Sequence, residues 1–286
     1  MYPYDKTLVR YGEIALKSRR VRSRFEYRLI NNIRHALKAV NLDFKIRNVY
    51  GRIIIDGFDQ KALDKLKRVF GIVSFSPCIH TTSDLDYVKE SALALSDFKG
   101  SFAVRCNRTG KHEYSSKDVE KIIGAAIVEK TKCKVDLGKP DNTVGIDIRD
   151  KDAYIYSKSF RGPGGLPLDT QGRVACLIKD KSGVLASWFV MRRGCGIIPI
   201  FCKVNKKEQE NFSNFLFGWA CGSDLKFIEI KSLKDIKKTM EENKCQVLVT
   251  GDYDLKNIQR TKFTTFMPLV GKEKEDIESL YKLLEQ

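Results

Sequence analysis

The sequence predicts an α/β protein whose last part is a doubly wound, parallel open sheet, and three observations carry that expectation. From Arg173 onward, continuous apolar strand-like runs alternate with helical runs, the pattern of parallel strands buried on both faces. Before Thr81 the order is strand, helix, strand, strand, helix, strand, a split β-α-β unit. A length of 286 residues with 42% hydrophobic content supports two or three packed cores and excludes both a single small module and a disordered chain.

Each element follows from local pattern. KTLVRY (6–11) reads as a strand, and KSRRVRSR leads into a helix running to about Lys38. On that helix Phe25, Leu29, Ile33, Ala36 and Leu37 share one arc, with Arg24, Arg28, Arg34 and Lys38 opposite. Two strand-like runs, FKIRNVY and GRIIIDG, turn near Gly51; a helix at about 60–69 and a strand at GIVSFSPC complete a ferredoxin-like order. A second region begins near Thr81: DLDYVKESALALS is helical, GSFAVRCNR is a strand, and SSKDVEKIIGAAIVEKT is a helix with serine at its N-cap. Its expected buried stripe is Val119, Ile122, Ile123, Ala126 and Ile127. Three strands follow, KVDL, TVGIDIR and DAYIYSKSF, and then RGPGGLPLDTQG (161–172), whose Gly and Pro content reads as a linker. The doubly wound region reads VACLI, a helix at 183–193, GIIPIFC, a helix near 206–220, LKFIEI, SLKDIKKTMEE, CQVLVT and a helical C-terminus.

Composition narrows the class. Net charge is +16, and residues 1–75 alone hold 17 Lys and Arg against 7 Asp and Glu. A local, arginine-rich excess points to a polyanionic partner, nucleic acid first; a basic face that merely solvates a helix is the plainer reading. The eight cysteines are scattered without a C-x-x-C pair, and the three histidines, His35, His80 and His112, are far apart, so no metal site is indicated. The longest apolar stretch, 183–191, is about half the ~20 residues of a membrane span, and the N-terminus lacks a secretory core. A soluble, cytoplasmic protein with no membrane partner is expected.

Four segments are more specific. YGEIALKSRRVRSRFEYRLINNI, FAVRCNRTGKHEYSSKDVEKIIGAAI, KVDLGKPDNTVGIDIRDKDAYIY and GPGGLPLDTQGRV occur in an order and spacing that resembles tRNA 4-thiouridine synthetases, the tRNA sulfurtransferases also named for thiamine biosynthesis. TGDYDLKNIQRTKFTTFMPLVGKEKEDIESL (250–280) is similar to that family's closing motifs. The resemblance implies a ferredoxin-like domain (1–78), a THUMP RNA-binding domain (79–165) and a PP-loop ATP-pyrophosphatase-like domain (166–286). It also implies tRNA as partner, held by the first two domains, while the third adenylates a uridine so that sulfur can replace its oxygen. Carried over, RNA contacts fall on Lys17, Arg19, Arg20, Arg22, Arg24 and Arg28, and on Arg105, Arg108, Lys111 and Arg161 of the THUMP side. Such residues would neutralise phosphates, while RNA shape would supply selectivity.

At the strand–helix turn the family carries SGGxDS, whose glycines let backbone N–H groups close round a pyrophosphate. Here the turn reads Lys179, Asp180, Lys181, Ser182, Gly183, about one residue short and without paired glycines. Asp180 sets a negative charge where phosphates would arrive, and Gly251 belongs to the same degenerate loop set by resemblance. The family's reactive cysteine lies beyond PLVGKEKEDI; this sequence has no cysteine after Cys245. The expectation is therefore a tRNA-binding protein on a sulfurtransferase frame with a decayed ATP site and no catalytic residue of its own. It carries no cofactor, and a separate catalytic or sulfur-donor protein and a homodimer are further expected partners. The competing reading is an active ATP-dependent tRNA sulfurtransferase with ATP and magnesium. THUMP domains also accompany methyltransferases and deaminases, but neither a Gly-rich methyltransferase motif nor the H-x-E…P-C-x-x-C deaminase pattern is present.

Overall fold

The computed structural model describes residues 4–221, 225–254 and 263–285. In chain order the first elements are β1 (Lys6–Tyr11), α1 (Arg19–Lys38), β2 (Ile46–Val49), β3 (Arg52–Ile55), α2 (Gln60–Leu66), β4 (Ile72–Thr82), α3 (Leu85–Ala94) and β5 (Phe102–Thr109). Next come α4 (Ser116–Thr131), β6 (Asn142–Arg149), β7 (Asp152–Tyr156) and β8 (Phe160–Arg161). The rest are β9 (Arg173–Ile178), α5 (Lys181–Arg192), β10 (Gly196–Cys202), α6 (Lys206–Trp219), β11 (Ile228–Ile230), α7 (Ile236–Glu242), β12 (Val247–Val249), β13 (Thr264–Phe266) and α8 (Lys274–Glu285). They form two compact units. One holds residues 4–11, 42–67 and 72–162, and the other holds 12–41, 68–71 and the chain from 163.

The first unit is built on an eight-stranded sheet in the order β2-β3-β1-β4-β7-β6-β5, with β8 beside β4. Its β2-β3-β1-β4 portion is antiparallel throughout, the ferredoxin-like arrangement. The strand expected to stop at Cys78 runs to Thr82, pairing β1 through residues 72–78 and β7 through 79–82. One strand therefore serves both halves of the sheet. Alternation sets the two faces. Val104, Ile146 and Ile155 pack with Val88 of α3 and Val119, Ile123 and Ile127 of α4, whereas Leu8, Ile54, Cys78 and Tyr154 cluster separately. Arg52 of β3 reaches Asp147 of β6 at 3.0 Å across three intervening strands, so the sheet is strongly curled.

Two expectations about this unit change. Ile122 is 43% exposed and Ala126 half-buried, so the buried stripe of α4 is narrower than its apolar period suggested. KVDL forms no strand: Val135 makes one isolated bridge to Phe102, because the segment only brushes the sheet edge.

The second unit carries a five-stranded parallel sheet in the order β11-β10-β9-β12-β13. Counted along this sheet the order is 3-2-1-4-5, the doubly wound arrangement, and strand order reverses between β9 and β12. Its core joins Phe70, Trp188, Trp219, Met191, Leu216 and Tyr281. Helix α1 belongs here, and the expected stripe Phe25, Leu29, Ile33, Ala36 and Leu37 is buried. The Gly-Pro-rich segment is no free linker. Leu166, Pro167 and Leu168 are buried, Leu166 N–H donates to the Arg192 carbonyl at 3.0 Å, and Asn32 Nδ2 donates to the Leu168 carbonyl at 3.3 Å. Gly165 sits at φ +74°, where a Cβ would lie 2.1 Å from the Arg192 oxygen, so only glycine permits this approach. Part of the 250–280 segment, residues 255–262, lies outside the described residues.

Candidate functional site

In an open parallel sheet, ligands bind outside the carboxyl ends of the strands where the order reverses. In the second unit that place lies between the ends of β9 and β12, and a small cleft opens there. Leu177, Lys179, Asp180, Ser182, Gly183, Thr250, Gly251 and Asp252 line its ≈ 30 Å³, space for about two waters at the ~10–15 Å³ each requires. Every residue of the sequence-derived loop set except Lys181 therefore converges on one spot. Lys181 instead places its ammonium 5.3 Å from the Tyr281 ring centre.

The chemistry of the cleft is dominated by the start of α5. A helix N-terminus presents unpaired N–H groups and a partial positive charge suited to phosphate. Here Asp180 is the N-cap. Its Oδ1 accepts from the Ser182 N–H at 2.8 Å, the Gly183 N–H at 3.2 Å and the Ser182 hydroxyl at 2.5 Å. The carboxylate thus occupies the donors a phosphate would use. Gly183 is buried against β9, where a Cβ would stand 2.7 Å from the Leu177 oxygen. A Cβ on Gly251 would fall 2.3 Å from Gly183 N and 2.4 Å from Ser182 Oγ, so the β12 loop closes tightly over the turn. Thr250 Oγ1 is buried there without a hydrogen-bond partner. These residues fit a phosphate provided that Asp180 swings off the helix end, or that a cation bridges it; Asp180 and Asp252 are the carboxylates available for magnesium. Among the described residues no group of three or more His, Cys, Asp or Glu side chains forms a metal cluster.

Leu177, Thr250 and Asp252 were missed by sequence reasoning. Thr-Gly-Asp directly after the apolar Val247–Val249 run was the available signal, since a small polar turn closing a buried strand marks a strand end.

All eight cysteines are free thiols, and five are buried. Burial pushes Cys176 and Cys221 up to about 12 and Cys106 up to about 11, and it raises Cys78, Cys195 and Cys245 as well.

The basic residues fall into separate groups. On α1 and just before it, Lys17, Arg19, Arg20, Arg24 and Arg28 are exposed and Arg22 is half-buried. Among the described residues no carboxylate lies within ion-pair distance of any of them. Arg20, Arg24 and Arg28 recur every four residues and so form one rank along the helix. On the first unit, Arg105 of β5 donates to the Leu137 carbonyl. Arg108 Nη1 donates to the Gly110 carbonyl at 3.0 Å and to His112 Nδ1 at 2.9 Å. His112 Nε2 then donates to the Asp150 carbonyl at 2.7 Å, which holds the loop between β5 and α4 in shape. Lys111 is exposed on that loop, and Arg161 is exposed on β8.

Comparison with known proteins places this geometry. The ThiI ferredoxin-like domain matches residues 6–76 and the THUMP domain residues 84–158. The probable tRNA sulfurtransferase of Methanocaldococcus jannaschii is 30% identical, with 96% of this chain and 86% of that protein covered. The chain belongs to the tRNA sulfurtransferase family. The probable tRNA sulfurtransferase of Methanobrevibacter smithii is 36% identical over 230 residues, 74% of this chain, and the match spans 58% of that protein, less than two thirds of its length. A solved 4-thiouridine synthetase–RNA complex with bound ATP superposes with a TM-score of 0.83 at 22% identity, covering 98% of this chain and 85% of that one. The fold of this sulfurtransferase-family chain is thus ferredoxin-like, THUMP and PP-loop type in succession. The expectation of no cofactor is corrected by the same comparison, because a protein of this fold was crystallised with ATP. Among the described residues no helix is long and apolar enough to cross a membrane.

Proposed function

We propose that this chain is a tRNA-binding member of its family that acts in cytoplasmic tRNA thio-modification. It takes ATP at the carboxyl ends of β9 and β12 and performs little sulfur transfer through its own thiols. The observation that carries the reading is the rank Arg20, Arg24 and Arg28, exposed guanidinium groups without ion-pair partners among the described residues. Guanidinium groups kept free of carboxylates are available to phosphates, each releasing counterions on binding. Lys17, Arg19 and Arg22 extend the row, and Arg108, near the end of β5, with Lys111, on the loop held by His112, supplies a second set of contacts. Family membership and the THUMP match favour tRNA as the nucleic acid.

The nucleotide part rests on the strand-end cleft and on ATP in the related fold. Asp180 is the group that phosphate must displace or bridge through magnesium. Burial keeps Cys176, Cys195 and Cys221 protonated near neutrality, so sulfur would come from a separate donor protein. The test is tRNA binding by the full chain at several salt concentrations, with and without ATP and magnesium. Tight, salt-steep binding is expected, and affinity independent of salt would refute it.

A second reading is an active ATP-dependent sulfurtransferase, favoured by the bound ATP of the 4-thiouridine synthetase complex. Pyrophosphate release that requires tRNA and a sulfur donor would establish it over the first.

A further inference from the structure

Strand β5 lies at one edge of the eight-stranded sheet. Along a strand, successive residues turn their N–H and C=O groups alternately to the neighbour on one side and the other. The Phe102 N–H donates outward to the Lys134 carbonyl at 3.0 Å, and the Phe102 carbonyl accepts from the Asp136 N–H at 2.9 Å. Val104 and Cys106 therefore face outward too, while Ala103 and Arg105 face β6. Beyond Phe102 the outer partner is lost. The Asp136 carboxylate accepts from the Gly138 and Lys139 N–H groups at 2.8 and 3.0 Å, which turns the chain away before Leu137 can pair with Val104. At Cys106 a side chain stands in for a strand: Glu120 Oε1 of α4 accepts from its N–H at 2.8 Å. Between them, Val104 is only 4% exposed, and its outward N–H and C=O have no partner among the described residues. Buried backbone groups are ordinarily paired, so this stretch of edge is one strand short.

The space for that strand is present. An apolar groove of about 640 Å³ runs between β5 and α4, floored by Phe102 and Val104, with Val135 and Leu137 as its far wall. Lys117, Lys121, Gly124, Ala125 and Val128 recur at three- and four-residue spacing and present one face of α4 to it. Gly124 keeps the groove wide: a Cβ there would meet nothing within 4 Å, so packing inside the chain does not require a glycine that weakens its helix. Alternation then specifies the occupant. Side chains of an added strand that point toward α4 meet Phe102, Val104, Ala125 and Val128, and apolar ones fit there. Those on the other side pass Arg105, which is exposed and donates to the Leu137 carbonyl at this same edge. Lys117 and Lys121 line the groove beside Glu120, and Glu129 lies about 12 Å along the helix from Lys121. These cations favour carboxylates on the occupant.

We propose that the edge of β5 binds an extended segment of another protein by strand addition, and that this segment alternates apolar with acidic residues. Its backbone pairs with Val104 and takes the Cys106 N–H from Glu120, its apolar side chains enter the groove, and its carboxylates face Arg105 and the lysines. The proposal rests on neither the nucleotide nor the RNA reading. The probe is a fluorescent octapeptide of alternating glutamate and valine, titrated into the full chain and followed by anisotropy. Saturable binding is expected, with slowed hydrogen exchange at the Val104 amide. The lysine–valine counterpart should bind about tenfold more weakly. N-methylation of every valine removes the donors of an antiparallel strand, and of every glutamate those of a parallel one, so one set should abolish binding and the other spare it. Gly124→Leu should fill the groove and abolish binding while the melting temperature holds, since leucine is the better helix former. No binding at millimolar peptide, affinity indifferent to Gly124→Leu, or equal affinity for the two N-methylated peptides would each overturn the proposal. Displacement of the peptide by tRNA would assign the edge to nucleic acid and overturn it as well.

Discussion

Replacing Asp180 with asparagine separates its two roles, cap and charge. The amide oxygen can still accept from the Ser182 and Gly183 N–H groups, and asparagine and aspartate cap helices about equally well. What is lost is the attraction of a carboxylate for the helix end, about 0.3–1 kcal/mol at an exposed site, or a melting temperature lower by about 1–4 °C. ATP binding should move the other way. A phosphate oxygen about 4 Å from a carboxylate meets ~1 kcal/mol of repulsion in water and ~4 kcal/mol at an effective dielectric of 20. Asp180 is exposed, so the lower figure applies, and its removal should tighten ATP about fivefold without magnesium. Isothermal titration in EDTA measures this directly. With magnesium the gain should shrink, since a cation between carboxylate and phosphate turns the repulsion into attraction. Unchanged or weaker ATP binding in EDTA would show that the carboxylate does not stand in the phosphate's place.

Other perturbations test other parts. Arg20→Ala with Arg24→Ala should lower tRNA affinity and flatten the slope of log K against log salt by about 1.4–1.8, at ~0.7–0.9 for each phosphate no longer neutralised; an unchanged slope would exclude both as phosphate ligands. Gly251→Ala should abolish ATP binding and depress the melting temperature, because its Cβ would lie 2.3 Å from Gly183 N in backbone that cannot yield. Thermal melts of Ser115→Ala probe the capping box of α4, in which Ser115 and Asp118 satisfy each other. Its loss should cost about 1 kcal/mol at neutral pH. The Ser115 hydroxyl and N–H hold the Asp118 carboxyl below the usual carboxylate range. That contribution is therefore complete above about pH 4 and fades as pH falls through the lowered folded value, so the difference from wild type should narrow in acid.

What the sequence disclosed and what it hid follow physical lines. The stripe on α1 and the continuous apolar strands of the parallel sheet were legible because burial on one side imposes a period. The same logic misassigned Ile122, since a period reports an apolar face and not what covers it. RGPGGLPLDTQG read as a linker because composition records flexibility, whereas the close passage of Gly165 over the Arg192 carbonyl is a long-range contact. Strand β13 was not foreseen: three residues, Thr264–Phe266, are too few to show alternation. At the candidate site the turn 179–183 was found from strand–helix order and family resemblance. Its self-capping by Asp180 could not be, because an N-cap aspartate and a phosphate-binding loop look alike until the hydrogen bonds are drawn.

Strand β4 sets a mechanical condition on the first unit. Its eleven residues pair with β1 at one end and β7 at the other, so a single peptide backbone is the shared spine of both halves. A cut after Cys78, between the ferredoxin-like and THUMP matches, would sever that spine in mid-span and leave each piece with a frayed, unpaired edge. The two halves divide as sequence but not as a mechanical object: a twist imposed on the ferredoxin-like strands is carried along one covalent rod into the THUMP strands.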